Sequence, residues 1–231
     1  MSAARPRIIA LDLDGTLIDC EQRQVQLMAF ALQSAGNTTA FDAHQFWALK
    51  RSGANNVSAL RSLSYDEPSI SAATRLWTDL IENPEWLKRD AVLPGVLEGL
   101  AQLADLGYEL CLLSARQQPQ HAERQLQQLG LTDLLDAVNF VSPARASIAK
   151  AEYLKAHPSA LFMGDTESDF DAAQSSNTPF IAVSTGQRSA AYLAQSGMAT
   201  VCASFAETLG VLLRSGSLSR ATGEGEPQLP S

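Results

Sequence analysis

Asp12 and Asp14 stand two residues apart at the end of an apolar run, Ile8-Ile9-Ala10-Leu11, and Gly15 and Thr16 follow. A near-continuous apolar run is the pattern of a parallel strand buried on both faces. The side-chain period of a strand is 2, so the two carboxylates share a side if the strand persists that far. Carboxylates at a buried strand end are costly unless a cation or a proton compensates them. Two more apolar runs end in polar groups. Tyr108 to Leu113 ends at Ser114, and Ala160 to Met163 ends at Gly164-Asp165, with Asp169 four residues on. In an open parallel sheet, ligands bind outside the carboxyl ends of the strands.

Four carboxylates, Asp12, Asp14, Asp165 and Asp169, suit a hard divalent cation with oxygen ligands. Mg2+ uses few carboxylates and finds further ligands on phosphate. A carboxylate attacking phosphorus sets anion against anion, so a metal and a fixed cation must cancel the charge. Lys150, one strand–helix unit before Asp165, is the best candidate; Lys155 competes but lies closer to the strand. Ser114 is placed to hydrogen-bond a phosphoryl oxygen, and the amides of the Asp14-Gly15-Thr16 turn offer part of an anion nest. An EF-hand reading fails, because Thr16 holds the fifth position and Arg23 the twelfth. Asp169 also has the spacing to close a capping box on Thr166. Arg116, close after Ser114, could reach phosphate, but reads first as an exposed loop arginine. His44, His121 and His157 form no cluster.

The elements that position these groups alternate. From Leu93 onward, helices and short apolar strands follow one another to about Leu213, which predicts a parallel sheet with helical crossovers. Between Asp19 and Asp90 almost nothing reads as a strand. Helices are expected over Glu21 to Ala35, Asp42 to Lys50 and Val57 to Leu63, and from a cap at Ser69 or Ser71 to about Glu82. Phe46, Trp47 and Trp77 read as the core of that bundle. The fold expected is α/β: a Rossmann-like parallel sheet core with helices on both faces (1–18 and 92–214), plus a small α-helical cap (19–91) inserted after the first strand. The crossings near Leu17–Cys20 and Lys88–Leu93 would be hinges. Residues 215–231, rich in Ser, Gly, Pro and Glu, read as an unstructured tail.

The chain has 231 residues, 45% of them hydrophobic, and a net charge of −8. No Lys/Arg cluster offers a footprint for nucleic acid. No stretch approaches a membrane span, and MSAARP carries no separate signal-peptide segment. Cys20, Cys111 and Cys202 match no metal or redox spacing and read as buried free thiols. A cytoplasmic protein is expected, with neither a monomer nor a homodimer favoured.

On DLDGT at Asp12–Thr16, LLS ending at Ser114, the lone Lys150 and GDTESD at Gly164–Asp169, the sequence resembles the haloacid dehalogenase-like (HAD) superfamily of hydrolases. The resemblance implies that Asp12 is the nucleophile and a Mg2+ ligand. Asp14 would act as general acid and then base, with its backbone carbonyl on the metal. Ser114 and Lys150 would hold the phosphoryl group, beside Gly15, Thr16 and Ala115. Asp165 would ligate Mg2+, and Asp169 would support the metal's water shell or Lys150. An aspartate two residues after the nucleophile marks phosphatases and phosphomutases and is lacking in dehalogenases proper. A helical insert at this point resembles the C1 cap of phosphoglycolate phosphatase-like members, which act on small phosphorylated metabolites. Lys50 or Arg51 would then meet the substrate's far end, against the plainer reading of a solvated helix end. The reading is a Mg2+-dependent phosphatase working through an aspartyl-phosphate. A β-phosphoglucomutase-like phosphomutase on the same core, and a non-catalytic binding protein of this fold, are the alternatives.

Overall fold

The structure, a computed structural model, describes residues 7–214; the expected tail at 215–231 and the MSAARP segment lie outside the described residues. Six parallel strands form one sheet. They are β1 (Arg7–Leu11), β4 (Tyr108–Ala115), β5 (Ala137–Val141), β6 (Leu161–Gly164), β7 (Phe180–Val183) and β8 (Val201–Cys202). Their order is β5-β4-β1-β6-β7-β8, so β1 lies inside, between β4 and β6. Ile9 pairs with Leu110 on one side and Leu161 on the other.

The pleat divides the core in two. Ile9, Leu11, Leu110, Leu112 and Met163 pack against α6 (Val96–Asp105), α7 (Pro119–Gln128) and α11 (Phe205–Arg214). Ala10, Leu113 and Phe162 face α8 (Ala146–Ala156) and α9 (Glu167–Ser176). Helices therefore cover both faces, as an all-parallel sheet requires. The remaining core helix is α10 (Ala190–Gln195).

The chain leaves this core through β2 (Ile18–Asp19) and returns through β3 (Ala91–Val92). The two form an antiparallel ribbon, Ile18 opposite Val92 and Asp19 opposite Ala91. Between them lie α1 (Glu21–Ser34), α2 (Ala43–Arg51), α3 (Asn56–Ser62), α4 (Glu67–Leu80) and α5 (Pro84–Leu87). This insert has an apolar cluster of its own, including Met28, Leu32, Phe46, Trp47, Leu60 and Ile70, with Trp77 against it. The starts of α2, α3 and α4 carry side-chain caps: Asp42 accepts from the Gln45 N–H, Asn55 from Ser58 and Asp66 from Ser69. The start of α4 differs from the expected Ser69 or Ser71. Pro68 falls in its first turn, where its missing N–H costs nothing, so Asp66 takes the cap. Among the described residues no helix is long and apolar enough to cross a membrane. Cys20, Cys111 and Cys202 are free and buried.

Candidate active site

The strand does not persist to Asp14. β1 ends at Leu11, and the Asp12 N–H still reaches the Met163 carbonyl at 2.9 Å. The N–H groups of Thr16, Leu17 and Ile18 then converge on the Leu13 carbonyl and fold the chain into a turn. Asp12 and Asp14 therefore enter different surroundings.

Asp12 joins Asp165 and Asp169. All three are buried, and their ligand atoms lie within 4.8 Å of one another. Lys150 Nζ donates to Asp12 Oδ1 at 2.7 Å and to Asp169 Oδ1 at 2.6 Å. Lys155 is exposed on the far turns of the same helix. The second oxygen of Asp169 accepts from the Thr166 hydroxyl at 2.6 Å, so this residue caps α9 and orients Lys150 at once. Asp165 Oδ2 accepts the Gln187 N–H at 2.7 Å, whereas its Oδ1 is buried without a partner. Burial raises the Asp165 carboxyl well above the usual carboxylate range, and the Asp12 and Asp169 charges add to this. Burial likewise raises Asp12, to about 6, against the opposing pull of Lys150. An orphaned carboxylate oxygen among three buried acids fits a hard divalent cation, which would relieve all of these costs.

Asp14 is held elsewhere. Arg116 grips it with two nitrogens, at 2.8 and 2.6 Å, and Arg23 Nη2 lies 2.9 Å from its Oδ2. Burial alone would raise this carboxyl. The Arg116 and Arg23 guanidinia outweigh it and hold Asp14 well below the usual carboxylate range. Arg116 is thus a buried partner of Asp14 rather than the exposed loop arginine expected. Arg23, on α1, also binds Asp90 at 2.9 Å and the Ile81 carbonyl. The sequence reading passed over Arg23 and Asp90, which are 67 residues apart.

The turn makes a second correction. The Gly15 N–H donates to the Ile18 carbonyl at 2.7 Å and the Thr16 N–H to Leu13 at 3.2 Å. Two of the three amides expected in an anion nest, those of Gly15 and Thr16, are spent inside the turn. Gly15 serves by being small: at φ +75°, a Cβ there would stand 2.3 Å from Asp165 Oδ2. Thr16 Oγ1 is buried and unpartnered. Ser114 is buried at the end of β4, beside Ala115, and its hydroxyl takes no protein partner among the described residues.

Lys50 and Arg51 close α2 at the junction of insert and core, and they part ways. The Arg51 guanidinium donates to the backbone carbonyls of Gly186 and Ser184, the latter at 2.8 Å. It is committed to the core loop rather than free for a substrate's far end. Lys50 is not solvated. Its side chain is buried (5% exposed), Nζ donates to Asn56 Oδ1 at 2.8 Å, and the Trp77 ring centroid lies 5.8 Å away. No carboxylate is within ion-pair reach of it among the described residues. Burial, then the nearby Arg188 charge, pushes the Lys50 amine down to about 8. Arg188 itself pairs with Glu167 through two 2.7 Å bonds and donates to the Lys50 carbonyl.

Among the described residues most buried acids and bases here have a counter-ion, while Glu82 instead accepts the Gln117 and Gln118 N–H groups. Asp12 and Asp169 share Lys150; Asp14 has Arg116 and Arg23; Glu167 has Arg188. Asp165 lacks a cation and Lys50 lacks an anion.

Residues 6–177 match the family described as haloacid dehalogenase-like hydrolase. A phosphoglycolate phosphatase from Rhodobacter capsulatus is 24% identical over 188 residues, 78% of this chain and 85% of that protein. Among solved structures, a haloacid dehalogenase-like hydrolase from Streptococcus pneumoniae superposes with a TM-score of 0.73 at 19% identity, covering 90% of this chain and 98% of the other. A protein described as a predicted phosphatase from Clostridium acetobutylicum gives 0.71 at 19%, covering 91% and 100%. At these identities the structural likeness is one of fold.

Proposed function

Because the chain belongs to the haloacid dehalogenase-like hydrolase family, we propose that it is a Mg2+-dependent phosphatase of a small phosphorylated metabolite, working in the cytoplasm through an aspartyl-phosphate on Asp12. The observation that carries this reading is the Asp12–Asp165–Asp169 cluster with Lys150 seated between two of its members.

Asp12 Oδ1 is tied to Lys150, which leaves Oδ2 to attack phosphorus. The new oxygen–phosphorus bond forms as the bond to the leaving oxygen breaks, and Asp14 gives that oxygen a proton. Water then attacks the aspartyl-phosphate, Asp14 takes its proton, and phosphate leaves with Asp12 restored. Lys150 and the Ser114 hydroxyl hold the phosphoryl oxygens. Bound Mg2+, on Asp12, Asp165 and the Asp14 carbonyl with Asp169 behind, would neutralise charge on the transferring group. A carboxylate held ionised has no proton to give, so Asp14 must leave its arginine pair and take up a proton from solvent before it gives one to the leaving oxygen.

The insert is a C1-type cap in this reading. Asp12, Ser114, Lys150, Asp165 and Lys50 are all buried, so substrate enters only when it swings away. Lys50 faces the substrate's far end and favours one that is anionic. A panel of phosphorylated metabolites assayed for phosphate release with Mg2+ tests the proposal. Turnover of several small monoesters is expected. Isomerisation of a sugar phosphate with almost no phosphate release would instead point to a mutase, and silence across the panel to a binding protein.

A further inference from the structure

The 184–189 segment touches the metal-site acids on one side and the insert on the other. Toward the acids, the Gln187 N–H binds Asp165 Oδ2 at 2.7 Å and the Thr185 hydroxyl binds the Gly15 carbonyl. Gly186 lies flat on the same carboxylate. A Cβ there would stand 1.9 Å from Asp165 Oδ2 and 2.5 Å from the Gly15 Cα. Toward the insert, Arg51 holds the Ser184 and Gly186 carbonyls, the Ser189 N–H returns a bond to the Arg51 carbonyl at 2.9 Å, and Arg188 reaches the Lys50 carbonyl at 2.9 Å. Gly53 completes the seam: a Cβ on it would stand 2.2 Å from the Tyr192 ring.

We propose that Arg51 couples closure of the insert to divalent-cation binding at Asp165, with the 184–189 segment as the connecting element. This rests on the metal reading above. Arg51 holds the carbonyls on either side of Thr185. The same stretch of backbone delivers the N–H that fixes one Asp165 oxygen, leaving the other for the cation. When the insert swings out, Arg51 leaves with it and the segment loses two charge-assisted bonds. The Asp165 carboxylate is then less well fixed, and a cation must order it at its own cost. Coupling of this kind is reciprocal, so a bound cation draws the insert shut by the same factor. Arg51 is a positioning residue: it acts on the metal site through backbone and never touches the reacting atoms.

The test is titration calorimetry of Mg2+ into the wild type, Arg51→Met and Arg51→Lys, with the insert's position read by the distance between spin labels at Arg75 on α4 and Glu123 on α7. Arg51→Met is expected to weaken Mg2+ binding by about 5- to 50-fold, within the usual range of coupling between sites, and to shift the labels toward the open distance. Arg51→Lys should recover only part, because a single ammonium does not span two carbonyls as a guanidinium does. Gly53→Ala opens the same seam without touching Arg51 and should weaken Mg2+ in parallel. Circular dichroism and melting confirm that each variant is folded. If either folded variant opens the insert while its Mg2+ affinity stays within twofold of wild type, the coupling is overturned. No Mg2+ binding by the wild type itself would remove the metal reading and the coupling together, an outcome separable from the first.

Discussion

Replacing Lys50 by Met should make the protein more stable and a worse enzyme. The amine sits at 5% exposure with one neutral hydrogen-bond acceptor, Asn56, and no counter-ion. Its titration point falls from 10.5 to about 8. That shift corresponds to roughly 3 kcal/mol spent on keeping the charge buried. Methionine keeps the chain length and volume without the charge, and leaving Asn56 unpaired returns about 1 kcal/mol of that gain. A net stabilisation of about 2 kcal/mol is expected at pH 7, or a rise of roughly 4–8 °C in Tm for a chain of this size. The pH dependence has a definite sign. Below about 8 both folded and unfolded wild type carry the proton, so the penalty is complete. Between about 8 and 10.5 the unfolded chain binds more protons than the folded one, so wild-type stability rises with pH. The advantage of Lys50→Met should therefore be full at pH 7 and nearly gone by pH 10.5. Urea melts at pH 7, 9 and 10 measure it. A variant no more stable than wild type at pH 7, or a gain that does not shrink with pH, would refute the reasoning. Loss of affinity should be read in the same preparation as a rise in KM for substrates with an anionic far end.

Asp12→Asn, nearly isosteric, should abolish turnover with an unchanged circular dichroism spectrum; robust activity in a clean preparation sinks the nucleophile assignment. EDTA should likewise abolish activity and Mg2+ restore it, and full turnover in chelator rules out the metal. Arg23→Met leaves Asp90 buried without a cation while Asp14 keeps Arg116, so a loss of about 3–5 kcal/mol is expected in urea unfolding; a loss under 1 kcal/mol would show that Asp90 does not depend on it. Gly186→Ala drives a methyl into Asp165 and into the Gly15 backbone, and calorimetry should find Mg2+ binding lost or the fold compromised; wild-type affinity would contradict the packing described here.

The carboxyl ends of β1, β4 and β6 were legible because each apolar run stops at a polar group, and Lys150 was preferred to Lys155 for its greater distance from the strand and its fit to the spacing of the family it resembles. The insert was legible as helices but not in its joints. β2 and β3 have two residues each, too few for any period to show. Arg23 stands in the run Glu21-Gln22-Arg23-Gln24, which reads as a wet helix start, and its partners Asp14 and Asp90 come from outside α1. Arg116 and Arg51 were misread for the same reason: a cation in a loop or at a helix end has a local explanation that suffices until the tertiary partner is seen. The nest expected over Asp14, Gly15 and Thr16 loses the last two amides because the turn uses them itself, a matter of backbone geometry that residue types do not carry.

The β2–β3 ribbon has a consequence for how such a chain can change over generations. The strands that lead out of the core and back are paired with each other, Asp19 opposite Ala91, so neighbouring backbones there lie about 5 Å apart. An antiparallel pair needs only a two-residue turn to be joined. Everything from α1 to α5 is therefore topologically a long decoration on a hairpin, and its replacement by a different block, or by a bare turn, asks nothing of the sheet. In the reading proposed above, selectivity would be rewritten at one address on the chain while the residues of the reaction, written at four others, stay as they are.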